Sequence, residues 1–272
     1  MSQATRHIDL GVIQREPEAD YHAKRGQFLT SHLLADFRKS PYLYDKQVRG
    51  LIKEKVTAAF ITGRGAHVRI LEGGAEYHSR FAIGGPINKS TGKPFAADTK
   101  AFREWAKEQG KPGIHYDDAE LIEELATGVS MNSRAIDFIT GGVAEGVVRA
   151  EYCGVACQSR LDLVHPEFGI MDLKTTDNVD YFQPDGRRYG YAYQMAFYRA
   201  MLALVLDGQM VPVHLIAVEK KEPYRCGIWR MCSDMLTQAQ KENEAAIERL
   251  KACRKRGAWP TGYEEIRIFD SL

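Results

Sequence analysis

Two aspartates and a lysine stand close together in the second half of the chain, in Arg160-Leu-Asp162-Leu-Val164 and Gly169-Ile-Met-Asp172-Leu-Lys174-Thr-Thr176. Side chains two apart on a strand project from the same face, so Asp172 and Lys174 share a side. Nine residues separate the aspartates, and a Pro-containing turn at His165 to Gly169 would bring Asp162 beside Asp172. Two carboxylates held together repel, and burial raises one pKa unless a cation neutralises them. A hard divalent ion with oxygen ligands, Mg2+ with Mn2+ able to substitute, supplies that charge and can also coordinate a phosphate. Lys174 would orient an attacking water or steady charge developing on phosphorus. The chemistry these residues suit is metal-assisted hydrolysis of a phosphodiester.

The pattern acid-x-Lys carries little by itself, because it recurs at Asp98-Thr-Lys100 and Glu219-Lys-Lys221. Asp98 has no apolar strand around it. Glu219 follows one but has no paired acid on a preceding strand, so both read as solvated surface charges. For Asp162, Asp172 and Lys174 the competing reading is a structural salt bridge at a strand end. Further along, Gln194 and Tyr198 sit at i and i+4 on one helix face among apolar neighbours. The amide can bond a phosphate or a base, and the phenol can bond or stack on DNA.

The elements that must position these groups follow from period and punctuation. Val143 to Cys153, Ala156 to Val164 and Gly169 to Thr176 read as a β-meander. Tyr189 to Leu206 reads as an apolar helix, Val211 to Glu219 and Tyr224 to Cys232 as strands, and Ser233 to Arg256 as a charged amphipathic helix. Before them, helices are expected from Thr30 or Ser31 to Lys39, Thr57 to Leu71, Phe95 to Gln109 and Asp117 to Phe138, with a mobile loop at Gly84 to Lys93. The expected fold is α/β, a mixed central sheet flanked by helices. It forms one domain over 1–272, with 1–140 mainly helical and 141–272 the sheet-bearing core.

Composition narrows the function classes. The chain has 272 residues, 44% hydrophobic and 27% charged, which excludes a disordered or fibrous protein. Its 37 Lys and Arg against 36 Asp and Glu leave a net charge of +1, so a polyanion site must arise from local charge segregation. No apolar run reaches the roughly 20 residues of a membrane span. The first residues lack a signal-peptide pattern, and the five cysteines contain no C-x-x-C pair. Together these features read as a cytosolic chain with free thiols.

The sequence RLDLV…GIMDLKTT…YAYQMAFY resembles the PD-(D/E)xK nuclease core, in the variant with a trailing Gln-x-x-x-Tyr. EADYHAKRGQFLTSHLLADFRKSPYLY, GRGAHVRILEG and YHSRFAIGGPINKSTGKPFAADTKAF extend the likeness to RecE-type (exodeoxyribonuclease VIII-like) phage exonucleases, over most of the chain. The resemblance implies a restriction-endonuclease-like core and a catalytic set of Glu145, Asp162, Asp172, Lys174, Gln194 and Tyr198. It implies a metal set of His67, Glu145, Asp162, Asp172 and Leu173, the last with only main-chain oxygen to offer. Glu151 lies near enough to compete with Glu145. The resemblance further implies an ATP-independent exonuclease that degrades one strand of linear duplex DNA, 5′ to 3′, leaving overhangs for recombination. The implied assembly is a ring-shaped homo-oligomer, tetramer before trimer, working beside a single-strand annealing protein, in a bacterial host cytoplasm if phage-encoded. An endonuclease on the same core, or a DNA-binding module without catalysis, remain the alternatives. Arg187-Arg188, Lys24-Arg25, Arg38-Lys39 and Arg64 with Arg69 are the basic groups that could line a DNA path.

Overall fold

The computed structural model describes residues 7–52 and 57–268. The opening six residues, on which part of the signal-peptide reading fell, lie outside them. The N-terminal part is helical: α1 (Glu18–Ala23), α2 (Ser31–Lys39), α3 (Pro41–Val48), α4 (Ala58–His67), α5 (Gly74–Arg80), α6 (Lys100–Glu108), α7 (Tyr116–Ser130) and α8 (Ser133–Ile139). Two short strands, β1 (Ala82–Ile83) and β2 (Gly113–Ile114), pair parallel within it. The main sheet follows, with β3 (Val143–Tyr152), β4 (Val155–His165) and β5 (Gly169–Thr176), then α9 (Phe182–Tyr189) and α10 (Tyr191–Val205). β6 (Val213–Glu219), β7 (Cys226–Arg230) and α11 (Ser233–Arg256) complete the chain. The five strands lie in sequence order, antiparallel except for the parallel pair β5 and β6, which α9 and α10 connect.

Helix starts follow capping chemistry. Thr30, Thr57 and Thr99 each accept the backbone N–H three residues on, at the heads of α2, α4 and α6, satisfying one of the donors that a first turn leaves orphaned. The helix expected from Phe95 therefore starts later, at Lys100. The single helix expected over Asp117 to Phe138 breaks at Asn132, whose Oδ1 caps α8 while its Nδ2 donates to the Cys226 carbonyl at 2.9 Å. Gly190, at φ +73°, separates α9 from α10. The Gly84 to Lys93 loop is drawn closed by the Asn88 N–H to Lys93 carbonyl bond at 2.8 Å.

Each face of the sheet has its own core. On one, Val148, Leu161, Ile170, Val213 and Leu215 pack with α2, α10 and α11. On the other, Ala144, Leu163, Met171, Leu173, Ile216 and Val218 pack with Ala66 of α4 and with Ile122, Leu125 and Val129 of α7. Each fully buried Val, Leu, Ile or Met side chain contributes about 1.5–3 kcal/mol. Gly65 permits the second layer, since a Cβ there would stand 2.8 Å from methyls of Ile114 and Ile122.

Alternation fails at one place. Leu161 and Leu163 are two apart yet enter different cores, and Ala144 and Val148 likewise fall on opposite faces. The break lies at Glu145 and Asp162, the pair missing from an otherwise continuous β3–β4 register, and Glu145 has φ +56°. A non-glycine residue held there is strained by about 1–3 kcal/mol, and such kinks re-aim side chains.

Candidate active site

The kink in β4 coincides with a fork. β4 and β5 pair from His165↔Gly169 to Leu163↔Met171 and then part. The next register pair would be Asp162 and Asp172. Instead the Asp162 carboxylate takes the place of a ladder acceptor, receiving the Leu173 N–H on Oδ2 at 2.9 Å. Glu145, Asp162 and Asp172 thus stand at one level across three neighbouring strands.

Asp172 is 1% exposed, and neither carboxylate oxygen has an aligned hydrogen-bond donor. Its Oδ2 lies 2.5 Å from Lys174 Nζ, a charge contact without hydrogen-bond alignment. Burial pushes the Asp172 pKa upward against the pull of Lys174. For Lys174, burial works against the charge, but Asp172 and Asp162 outweigh it and hold the pKa above its ordinary value. Its Nζ donates to Gln194 Oε1 at 3.3 Å, and Gln194 Nε2 donates to Tyr198 Oη at 3.1 Å. The Tyr191 ring lies 4.8 Å beneath the ammonium.

The opposite layer reaches the fork as well. His67, where α4 widens into a π-helical turn (Val68–Glu72), holds Nδ1 3.8 Å from Asp162 Oδ2. Glu145 is paired with Arg160 at 2.6 Å, and burial raises its pKa. Glu151 is exposed on the distal part of β3 and stays apart. The expected residues therefore assemble, with one correction. Tyr198 is 6% exposed and cannot stack on DNA; it props Gln194. Leu173 sends its side chain into the second core and touches the site through its N–H. Arg160 and Tyr191 belong to the site too, but arginines and tyrosines occur throughout the sequence and only their placement distinguishes these two.

Among the described residues, no three His, Cys, Asp or Glu side chains are gathered into a preformed metal cluster. The donor chemistry nevertheless fits one hard divalent ion. Asp172 is a buried carboxylate whose one close partner is the Lys174 ammonium at Oδ2, and Asp162 is beside it.

A groove of about 660 Å3 opens beside Lys174, lined by Arg38, Lys39, Arg187, Arg188 and Arg249 with Tyr189, Tyr191 and Gln194, and, among the described residues, by no acid. This is the local charge segregation that a net charge of +1 requires of a polyanion site. Two of the four expected basic groups line it. Arg64 is instead bonded to Glu18, Arg69 to Glu123 and Lys24 to Glu16.

The mixed sheet with its parallel fourth strand and the acid-acid-lysine set at the fork agree with a PD-(D/E)xK nuclease-like fold, as the family match shows. The sequence matches the model of the PDDEXK-like domain of unknown function (DUF3799) over residues 31–271, and the chain belongs to that family. Its structure is similar to that of a "putative exonuclease" from Eubacterium rectale, with a TM-score of 0.65 at 13% identity over 95% of this chain and 96% of that one. The crystal structure of LHK-Exo in complex with dAMP is also matched, at 13% identity over 74% of this chain and 96% of that one, with a TM-score of 0.28. No curated protein matches the sequence. Among the described residues, no helix is long and apolar enough to cross a membrane.

Proposed function

We propose that this protein is a metal-dependent, ATP-independent exonuclease that degrades one strand of linear double-stranded DNA from a free end, 5′ to 3′, to leave overhangs for recombination. The observation that carries the hydrolytic reading is Asp172, a buried carboxylate with no aligned donor, set against Lys174 and level with Asp162 where two strands part. Family membership and the structural likeness support it.

Asp162 and Asp172, with His67 beside Asp162, would hold a Mg2+ or Mn2+ ion, which when bound supplies a Lewis acid for the phosphodiester and lowers the pKa of water. Lys174 offers an ammonium, 3.3 Å from Gln194, that would orient the attacking water and stabilise charge on phosphorus. Gln194 fixes that ammonium, and Tyr198 fixes Gln194. The arginines of the groove hold the DNA backbone, and Tyr189 and Tyr191 offer rings against which bases can stack. Processivity without a motor follows if the chain closes into a ring, tetramer before trimer. An annealing protein would receive the overhang, in the cytoplasm.

The test is cleavage of linear and closed circular duplex, with Mg2+, Mn2+ or EDTA, followed on end-labelled strands. The expected result is metal-dependent loss of the linear form alone, with label released first from 5′ ends. Cutting of the circle makes the protein an endonuclease, and binding without cleavage makes it a DNA-binding module.

A further inference from the structure

A second cavity, of about 910 Å3, lies at the other end of the sheet, where β5 and β6 begin. Gly169 at the start of β5 and Lys174 are five residues apart, roughly 16 Å along the strand, so it is separate from the nuclease groove. The volume suits a small organic ligand.

Its walls carry two polar groups that the fold leaves incomplete. Arg199 of α10 is 4% exposed and lines the cavity; Nη2 donates to Thr237 Oγ1 at 3.3 Å, while Nε has no partner. A buried guanidinium with an unused donor is costly unless an anion completes it. His214 of β6 is 7% exposed; its ring bonds the Phe168 backbone, and Nδ1 has no partner. Burial and nearby Arg230 push its pKa down to about 4, so the imidazole is neutral near pH 7. A neutral ring that donates through one nitrogen offers a lone pair on the other and asks for a hydroxyl or N–H donor.

The rim adds positive charge. Arg230 and Arg134, the latter paired with Asp137 at 3.5 Å, are exposed there, and among the described lining residues Glu167 is the one acid. The first turn of α11 also borders the cavity at Ser233 and Leu236, and its N-cap Cys232 gives no side-chain bond, so the positive end of a 24-residue helix is uncapped at the wall. Phe138, Met210 and Met231 supply apolar wall.

We infer that this cavity binds a phosphate monoester carrying hydroxyl groups on an organic body about the size of a nucleoside monophosphate. The phosphate meets Arg199 and Arg230, and a hydroxyl donates to His214 Nδ1. The inference is independent of the nuclease reading.

Isothermal titration calorimetry on the whole chain in EDTA and phosphate-free buffer tests it, with 2′-deoxyadenosine 5′-monophosphate, ribose 5-phosphate, inorganic phosphate and adenosine as probes. Both esters should bind saturably, inorganic phosphate more weakly, and adenosine not at all. Arg199→Gln and Arg230→Gln should each weaken the esters about tenfold, the scale of one charge-assisted hydrogen bond. Arg187→Gln, in the nuclease groove, should leave them within about twofold. If Arg199→Gln does not fold by circular dichroism, Arg230→Gln and Arg134→Gln carry the test, since both residues are exposed. No saturable ester binding below about 1 mM, or loss in Arg187→Gln with retention in Arg230→Gln, overturns the site. Adenosine binding as tightly as the esters removes the anion from the assignment. Inorganic phosphate binding as tightly as the esters removes the organic body.

Discussion

Asp172 and Glu219 are both buried acids of acid-x-Lys triplets on neighbouring parallel strands, yet they do opposite things. Glu219 is 5% exposed and receives Arg225 twice, Nε to Oε2 at 2.8 Å and Nη2 to Oε1 at 3.0 Å. That bond to Arg225, outweighing burial, holds its carboxyl below the ordinary range. Its own triplet lysine, Lys221, lies beyond the strand end and adds only a weaker charge attraction. Asp172 has no such fork of donors, and burial moves its pKa the other way. A carboxylate the fold completes is structure; one it buries and leaves incomplete is a place for something else.

Breaking each acid in turn should separate these roles. Asp172→Asn keeps the shape and removes the charge, so cleavage should fall by at least ~10²-fold while DNA binding by gel shift is retained. Glu219→Gln should leave cleavage within a few-fold and instead destabilise by about 1 kcal/mol, a modest figure because Arg225 is partly exposed and can rehydrate. If Glu219→Gln is the dead variant, the assignment of roles along the sheet is reversed.

Lys174→Ala should match Asp172→Asn in lost activity yet still gain thermal stability on adding Mn2+, as a protein that binds the ion only when folded must. Loss of that gain would make Lys174 part of the ion's holding rather than of the chemistry.

Tyr198→Phe probes the next layer out. Removing the Oη that supports Gln194 should lower kcat about tenfold, near the contribution of one hydrogen bond, with KM for DNA unchanged. A rise in KM alone would mean that the phenol meets DNA directly. His67→Ala should be milder still and conditional, needing more Mg2+ or Mn2+ for half-maximal cleavage and recovering in part as metal is added; an unchanged metal titration would detach α4 from the site.

The smallest effect is in stability against pH without metal. The native state keeps the Asp172 proton to higher pH than the unfolded chain does, so the stability this group contributes is full below the ordinary aspartate pKa and falls as pH rises through the raised native value. Wild type should therefore lose stability relative to Asp172→Asn across that window in thermal melts, and a divalent ion should restore it. Glu219, with its pKa lowered, should show the reverse against Glu219→Gln, its contribution vanishing as pH drops.

Much of this was legible in the residues themselves. The meander over Val143 to Thr176 and the long helix Ser233–Arg256 were readable because period and punctuation are local. The nearness of Asp162 to Asp172 also followed, since a short turn between two strands leaves little freedom. Other features were not. Asn132 divides a helix because its amide reaches Cys226, 94 residues away, and nothing within a window of neighbours carries that information. Tyr198 looked available to DNA because Gln-x-x-x-Tyr defines a helix face without saying what covers it; α2 and the sheet cover it.

The sequence by itself determined which groups could do chemistry and the strands that carry them, because residue type and two-residue alternation are properties of a short stretch of chain. Which acid would be left incomplete was decided only in the tertiary structure. That outcome depends on Glu145 kinking β3 at φ +56°, on β4 and β5 parting after Leu163↔Met171, and on Arg225 bonding both oxygens of Glu219 while Asp172 meets only the Lys174 ammonium, at one oxygen. Each of these is a competition among distant partners for one buried polar group, and only the packed chain resolves it.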